Sequence, residues 1–291
     1  MKAAPFTRHV PKTVAEAVSL LADFAAYEGR ILAGGQSLIP MMAFRLARPR
    51  HLIDINEIVD LDAIRIESGR LAIGALARHG AFHGPIVEGP LGNLLTVVAG
   101  NIGNYSIRMR GTMCGSLAHA DPASEWCLVA VTLDAELIAR NKSGVRVTPA
   151  RSFFKGIRQT DLKEDDLLVE VQLPLLPTDI RFGFYEFNRR GGDVALAASL
   201  VTCRLEDGRI RHARVGIGGA EPVPRRILVA EAMLENEPPG AELFRHAARA
   251  AADAIEPLED HQIDAPYRRN LVEVVVQRAL EQTYECTNDQ S

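Results

Sequence analysis

Ala33-Gly34-Gly35-Gln36-Ser37-Leu38 is the stretch on which the fold turns. It follows a short apolar run, Arg30-Ile31-Leu32-Ala33, and precedes a segment that reads as a helix. Paired glycines between a strand and a helix let backbone N–H groups approach a ligand that a Cβ would hold off. Ser37 adds a hydroxyl where the helix would begin, and helix N-termini attract phosphate. The same residues could equally make a tight turn with an N-cap serine. A second loop, Arg108-Met109-Arg110-Gly111-Thr112-Met113-Cys114-Gly115-Ser116, sets hydroxyls beside glycines, again suited to phosphate oxygens. Arg108 and Arg110 either supply charge there or form a solvated surface pair. Further on, Asp121-Pro122-Ala123-Ser124-Glu125 opens a helix. Ser124 and Glu125 would either cap it and offset its dipole or hydrogen-bond a ribose hydroxyl. Two phosphate-suited loops in one domain would be explained by a dinucleotide. No G-x-G-x-x-G follows a strand, so the site is not of the Rossmann type. Gly216-Ile217-Gly218-Gly219 comes closest, but it lacks the third glycine and leads into prolines.

Around these loops the chain alternates strands and helices. Thr13-Val14-Ala15-Glu16 has the form of a capping box, and Val14, Ala17, Val18, Leu21 and Phe24 recur at helical spacing behind it. A strand is expected at His51–Ile55 and a hairpin over 61–76, turning at Ser68-Gly69. Leu91–Asn101 reads as a helix, Gly103–Pro122 as a polar loop and Ala123–Leu133 as another helix. Strands follow at Glu136–Arg140, Val145–Thr148 and Asp166–Leu173. The stretch Leu173-Pro174-Leu175-Leu176-Pro177 marks a domain boundary. Beyond it, Phe182–Phe187, Ala195–Leu205 and Ile210–Ile217 read as three antiparallel strands, followed by alanine-rich helices ending near Tyr267–Tyr284.

The 291 residues are 47% hydrophobic and 24% charged, so a sizeable core can form without disulfides or metals. The net charge of −4 leaves no basic footprint for nucleic acid. No apolar run approaches the ~20 residues of a membrane span, and MKAAPFTRHVPKT has no signal-type apolar core. Cys114, Cys127, Cys203 and Cys286 are far apart with no C-x-x-C, which argues against an iron–sulfur or zinc site made by this chain alone. A cytoplasmic protein with reduced thiols is expected. His79 and His83 read as exposed surface histidines, Trp126 and Tyr105 as packing residues, and Cys114 as a small packed side chain; no metal site is expected.

Read together, the loops resemble the FAD-binding medium subunits of molybdenum hydroxylases, among them the carbon monoxide dehydrogenase medium subunit and the flavin part of xanthine dehydrogenase. The resemblance runs from Phe6 to about Gln282. It is carried by Ala33–Pro40, Ile107–Thr112 and Gly115-Ser116-Leu117-Ala118-His119-Ala120-Asp121-Pro122, with support from Arg190–Ala195 and Gly216–Pro224. It implies an α+β chain: a vanillyl-alcohol-oxidase-like (PCMH-type) FAD-binding domain of two α/β subdomains, then a C-terminal domain with a three-stranded antiparallel sheet and a helical bundle. The expected bounds are 1–176 (subdomains about 1–57 and 58–176) and 177–285, the latter like the CO dehydrogenase flavoprotein C-terminal domain.

By position, the resemblance implies FAD contacts from Leu32, Ala33, Gly34, Gly35, Gln36, Ser37 and Leu38, then Ile102, and then Thr112, Met113, Cys114, Gly115, Ser116 and Ala120. Ser124 and Glu125 would meet the adenosine end, and the region of Asp193 the isoalloxazine. No catalytic acid or base is implied. Electrons would come from [2Fe–2S] clusters on a small partner subunit, after oxidation of substrate at a molybdenum cofactor on a large one, and leave through FAD to NAD, a quinone or oxygen. A dimer of heterotrimers is the usual assembly. The family usually has Thr-Ile-Gly-Gly where this chain has Thr112-Met113-Cys114-Gly115; a positive φ at Cys114 would cost on the order of 1 kcal/mol. Ser106 stands where a Gln is common, and Val194 where some members carry an aromatic. Two other readings fit the residues: a self-contained FAD oxidoreductase of the same fold, or an assembly protein that has lost FAD.

Overall fold

The computed structural model describes residues 2–260 and 263–285; Cys286 lies outside them. The chain opens with β1 (Thr7–His9), α1 (Val14–Phe24), β2 (Gly29–Leu32), α2 (Leu38–Ala43) and β3 (His51–Asp54). The three strands form a parallel sheet in the order β1-β3-β2. Thr13 caps α1 as expected, its hydroxyl accepting from the Glu16 amide at 3.1 Å. The Glu16 carboxylate takes the Lys12 amide, one residue before the partner a capping box would use.

The next stretch holds β4 (Ile64–Glu67), β5 (Arg70–Gly74), α3 (Pro90–Asn101), α4 (Tyr105–Arg108), α5 (Met113–His119), α6 (Glu125–Thr132), β6 (Glu136–Asn141) and β7 (Gly144–Pro149). It ends with α7 (Ala150–Phe153), β8 (Phe154–Gly156), β9 (Gln159–Thr160) and β10 (Leu167–Pro174). A five-stranded antiparallel sheet runs β4-β5-β10-β6-β7, and β8 pairs with β9. Ser68 and Gly69 both take positive φ, 50° and 75°, the geometry a two-residue hairpin turn requires. The polar loop expected over Gly103–Pro122 is instead two short capped helices. The Asn104 side chain accepts from the Ile107 amide and the Thr112 side chain from the Gly115 amide, so each cap starts a helix that glycine content alone hides.

The last stretch holds β11 (Arg181–Phe187), β12 (Ala197–Glu206), β13 (Arg209–Gly218), β14 (Arg225–Arg226), α8 (Leu228–Leu234), α9 (Ala241–Asp253) and α10 (Ala265–Glu285). Three long antiparallel strands carry a two-residue fourth at the β13 edge. Helix α6 joins this sheet to the rest. All seven residues from Trp126 to Thr132 are buried, as expected of a helix packed on every side. A Cβ on Gly216 of β13 would stand 1.9 Å from the Thr132 hydroxyl, so the absence of a side chain lets helix and sheet close up. Large apolar residues, including Trp126, Phe82, Phe153 and Leu94, fill the core beneath the glycine-bearing loops. Those loops therefore rest on packed structure.

Candidate functional site

The two loops meet. A Cβ on Gly34 would lie 2.4 Å from the Arg110 carbonyl oxygen and 2.7 Å from the Gly111 Cα. Only a residue without a side chain lets the two backbones approach this closely. Gly35 has φ +73°, a conformation that favours glycine. Between the loops lies an open cleft of about 330 Å³, lined by Leu32, Ala33, Gly34, Gly35, Gln36 and Arg110 among others.

Residues that the sequence did not single out brace it. The Asn56 amide donates to the Ala33 carbonyl at 2.9 Å and to Asp54 at 2.6 Å. Arg78 donates to the Asn56 side-chain oxygen and to the Arg110 carbonyl, each at 2.6 Å, and so ties the first loop to the second. Arg8 grips Asp54 with two bonds of 2.9 and 2.7 Å. Burial raises the Asp54 pKa, but bonds from Asn56 and Arg8 outweigh it and hold the carboxyl below its usual range. The Asp54 charge is thus matched inside the protein, beside a cleft that also presents Arg110. A signal for Asn56 did exist: it sits just past the C-terminal end of parallel strand β3, where ligands of α/β layers gather.

The second loop starts α5. Thr112 caps it, and its neighbour Gly115 would place a Cβ 2.6 Å from the Thr112 hydroxyl. Met113 and Cys114 are buried, so only their backbones can face a ligand. Cys114 lies in α5 and is not among the residues with positive φ; the backbone strain considered for it is absent. Its thiol points at the Ile73 carbonyl, 3.8 Å away, and burial drives its pKa far up. Burial likewise pushes the Cys127 thiol up to about 12. Cys114→Gly should therefore destabilise the fold by about 1–2 kcal/mol, through lost burial and helix propensity; an unchanged or raised melting temperature would contradict this. A thiol reagent should leave Cys114 and Cys127 unmodified in the native protein.

Two expectations about side chains are overturned here. His79 is 3% exposed: it packs under the second loop and accepts a 2.9 Å bond from the Trp126 indole N–H at Nδ1. A Cβ on Gly111 would stand 2.6 Å from its Nε2. Tyr105 is 63% exposed, because α4 is a single turn standing on the surface. Burial, with Arg78 and Arg108 nearby, lowers the His79 pKa from 6.5 to about 4. The unfolded chain thus binds the proton first, and stability is lost as pH falls from about 6.5 to 4. The loss is on the order of 3 kcal/mol. His79→Gln should flatten that part of a plot of melting temperature against pH; an unchanged acid slope would remove His79 as its source.

The other predicted residues form two further groups. Helix α5 leads through Ser116 to Ala120, which ends it at φ +49°, and on to Ser124 and Glu125 at the start of α6. The Ser116 carbonyl lies 3.7 Å from the Cys127 thiol, which holds the two helices together. Ser124 Oγ is buried beside the Cys127 thiol. Burial, reinforced by Asp121, raises the Glu125 carboxyl to about 7. Ile102, at the end of α3, is buried, and its carbonyl and that of Gly103 accept from Arg108 at 3.0 and 2.9 Å. Arg108 is therefore engaged by the backbone. Asp193 is exposed on a turn closed by its own amide to the Arg190 carbonyl. The adjoining Gly192 abuts the Gly103 carbonyl, its Cβ position 3.1 Å away, so Ile102 and Asp193 lie on neighbouring segments. Ser37 begins α2 with no side-chain cap bond.

The donor set fits FAD. The cleft has glycine backbone and a guanidinium for a pyrophosphate, and a Cβ at Gly34 would fill the cradle.

Comparison with known proteins agrees. A family model described as the FAD binding domain in molybdopterin dehydrogenase matches residues 4–176, and one described as the CO dehydrogenase flavoprotein C-terminal domain matches 182–283. The carbon monoxide dehydrogenase medium chain of Hydrogenophaga pseudoflava is 34% identical over 94% of this chain and 96% of its own length. The 6-hydroxypseudooxynicotine dehydrogenase complex subunit alpha of Paenarthrobacter nicotinovorans is 36% identical over 96% of this chain and 95% of its own length. A solved structure of the Hydrogenophaga enzyme, lacking the Mo-pyranopterin moiety of its cofactor, has a chain that superposes with a TM-score of 0.93 at 35% identity. The match covers 98% of this chain and 99% of that one. The chain belongs to the FAD-binding medium subunits of the molybdenum hydroxylases.

Proposed function

We propose that this chain binds FAD across the cleft where Gly34 meets Arg110 and serves as the electron-relay subunit of a heteromeric molybdenum hydroxylase. The close approach of the two glycine-bearing loops carries this reading, because it builds a backbone-lined, guanidinium-bearing cleft. FAD, when bound, supplies the redox chemistry, taking electrons from [2Fe–2S] clusters and giving them to NAD, a quinone or oxygen. The protein supplies position and electrostatics. Ala33–Ser37 and the backbone of Thr112–Ser116 would hold the pyrophosphate region, with Arg110 as counter-charge and Asn56 and Arg78 keeping the loops in place. Ser124 and Glu125 would meet the adenosine end and Asp193 the isoalloxazine end. Residues 1–176 would then be the flavin domain and 177–285 the C-terminal domain.

The partners we assign are a large molybdenum-cofactor subunit and a small [2Fe–2S] subunit, in a dimer of heterotrimers. This chain holds no cysteine spacing suited to clusters of its own. A cytoplasmic setting suits its cysteines, three of which are buried and unpaired among the described residues. Among those residues no helix is long and apolar enough to cross a membrane.

The test is a visible spectrum of tagged protein from its native host, with the co-purifying chains identified. Flavin and [2Fe–2S] absorbance with two partner chains is expected. A lone chain that turns over by itself would point to a self-contained oxidoreductase, and a chain that takes up no added FAD would refute the reading.

A further inference from the structure

From Gly29 to Ile53 the chain has no Asp or Glu but four arginines, in a protein whose net charge is −4. Helix α2 and the turn after it lie in this segment. Ile39 and Pro40 of α2 line the cleft. The turn carries Phe44 and Leu46, which are 67% and 74% exposed, while Met42 behind them is buried. Its backbone is fixed. The Leu46 and Ala47 amides both donate to the Met41 carbonyl, at 2.8 and 3.3 Å, and Arg45 is held at φ +59°. Non-glycine residues seldom adopt that conformation, so this is a defined turn that keeps both apolar side chains pointing out. Large apolar groups held outward together mark an interaction site. Arg45 and Arg48 turn their Nε atoms to the Lys2 and Arg45 carbonyls, at 3.4 and 3.2 Å, and pair with no carboxylate among the described residues. Neither lines the cleft, so their charge is not used by a ligand there. Arg50 lies 3.4 Å from Glu28, both exposed, an ion pair that solvent screens.

We propose that the turn from Phe44 to Arg50 is the docking surface for the [2Fe–2S] subunit: Phe44 and Leu46 enter an apolar recess on that partner, and Arg45 and Arg48 meet carboxylates at its rim. The inference rests on the electron-relay reading above and adds the place where the electron donor sits. Two observations select this occupant. The turn continues the cleft wall through α2, so a chain seated on it stands beside the cofactor site. A cluster held by cysteine thiolates is a net anion, so a partner carrying one complements a segment that has arginines and no acid. A second copy of this chain fits less well, because a two-fold contact would set the same arginines against each other. Apolar anchors ringed by charge are the usual anatomy of a protein interface.

The test uses the tagged complex purified from the native host. With Leu46 replaced by the photo-crosslinker p-benzoylphenylalanine, illumination should join this chain to the [2Fe–2S] chain. Leu46→Asp combined with Arg48→Glu should retain at most about a tenth of the wild-type amount of [2Fe–2S] chain per tagged chain, because a few anchors carry most of an interface's energy. The tagged chain should keep its circular dichroism spectrum, since both side chains are exposed; should the double variant misfold, the crosslink decides by itself. A crosslink to the large chain, to a second copy or to nothing overturns this inference while the FAD reading stands, and so does a folded double variant with wild-type [2Fe–2S] content. If the wild-type chain purifies with no [2Fe–2S] chain at all, the functional reading itself fails.

Discussion

Gly34→Val is expected to leave the purified chain nearly free of flavin, with FAD binding at least about 100-fold weaker than in wild type. The Gly34 Cβ position is 2.4 Å from the Arg110 carbonyl oxygen and 2.7 Å from the Gly111 Cα. Both obstacles are backbone, and the Arg110 carbonyl is itself held by Arg78. The loops must therefore separate, and overpacking of this kind costs about 1–3 kcal/mol or more. An energy near the top of that range corresponds to roughly 100-fold in affinity. The measurement is the flavin-to-protein ratio together with a fluorescence titration, alongside a melting curve. Gly69→Ala is the control: Gly69 also has positive φ, 75°, but nothing lies within 4 Å of its Cβ position and it is not among the residues that line the cleft. It should lose about 1 kcal/mol of stability and no flavin. Wild-type flavin content in Gly34→Val would remove the cleft from the site.

The largest expected loss of stability is at Gly183→Ala. The added Cβ would stand 1.9 Å from the Ala279 carbonyl oxygen in the middle of α10 and 3.0 Å from the Gln282 Cβ. Gln282 cannot simply swing away, because its side-chain oxygen accepts from the Phe184 amide at 2.8 Å. Helix α10 must lift off β11, opening the interior formed by Val275, Val276 and Ala279 against the sheet. We expect a loss of about 3 kcal/mol or more, roughly 6–12 °C in melting temperature for a chain of this size. A shift under about 2 °C would show that the helix is not seated on β11 as described.

Local features were readable from the sequence because their causes lie within a few residues. The Thr13 cap, the Ser68-Gly69 turn, the alternation in β4 and β5 and the proline-rich end of β10 all follow from propensity and turn chemistry. The glycine pairs and hydroxyls of the two loops were visible for the same reason, and their order along the chain carried the family resemblance. The Gly103–Pro122 segment reads as loop in the sequence because its glycines mask two caps, Asn104 and Thr112, that each start a short helix.

Other features depend on residues far apart in the chain, whose meeting is set by packing and leaves no local pattern. Arg78 reaches Asn56 and Arg110 across separations of 22 and 32 residues. The Trp126–His79 bond, spanning 47, turns an apparently ordinary surface histidine into a buried neutral one. The burial of the neutral Cys114 thiol and the backbone grip on Arg108 are of the same kind. Residue types along the chain determined which groups could bind a dinucleotide; the packing of α6 between the C-terminal sheet and helices α3 and α5 determined which of them meet, because close packing admits one arrangement of those layers and excludes water from the seams between them.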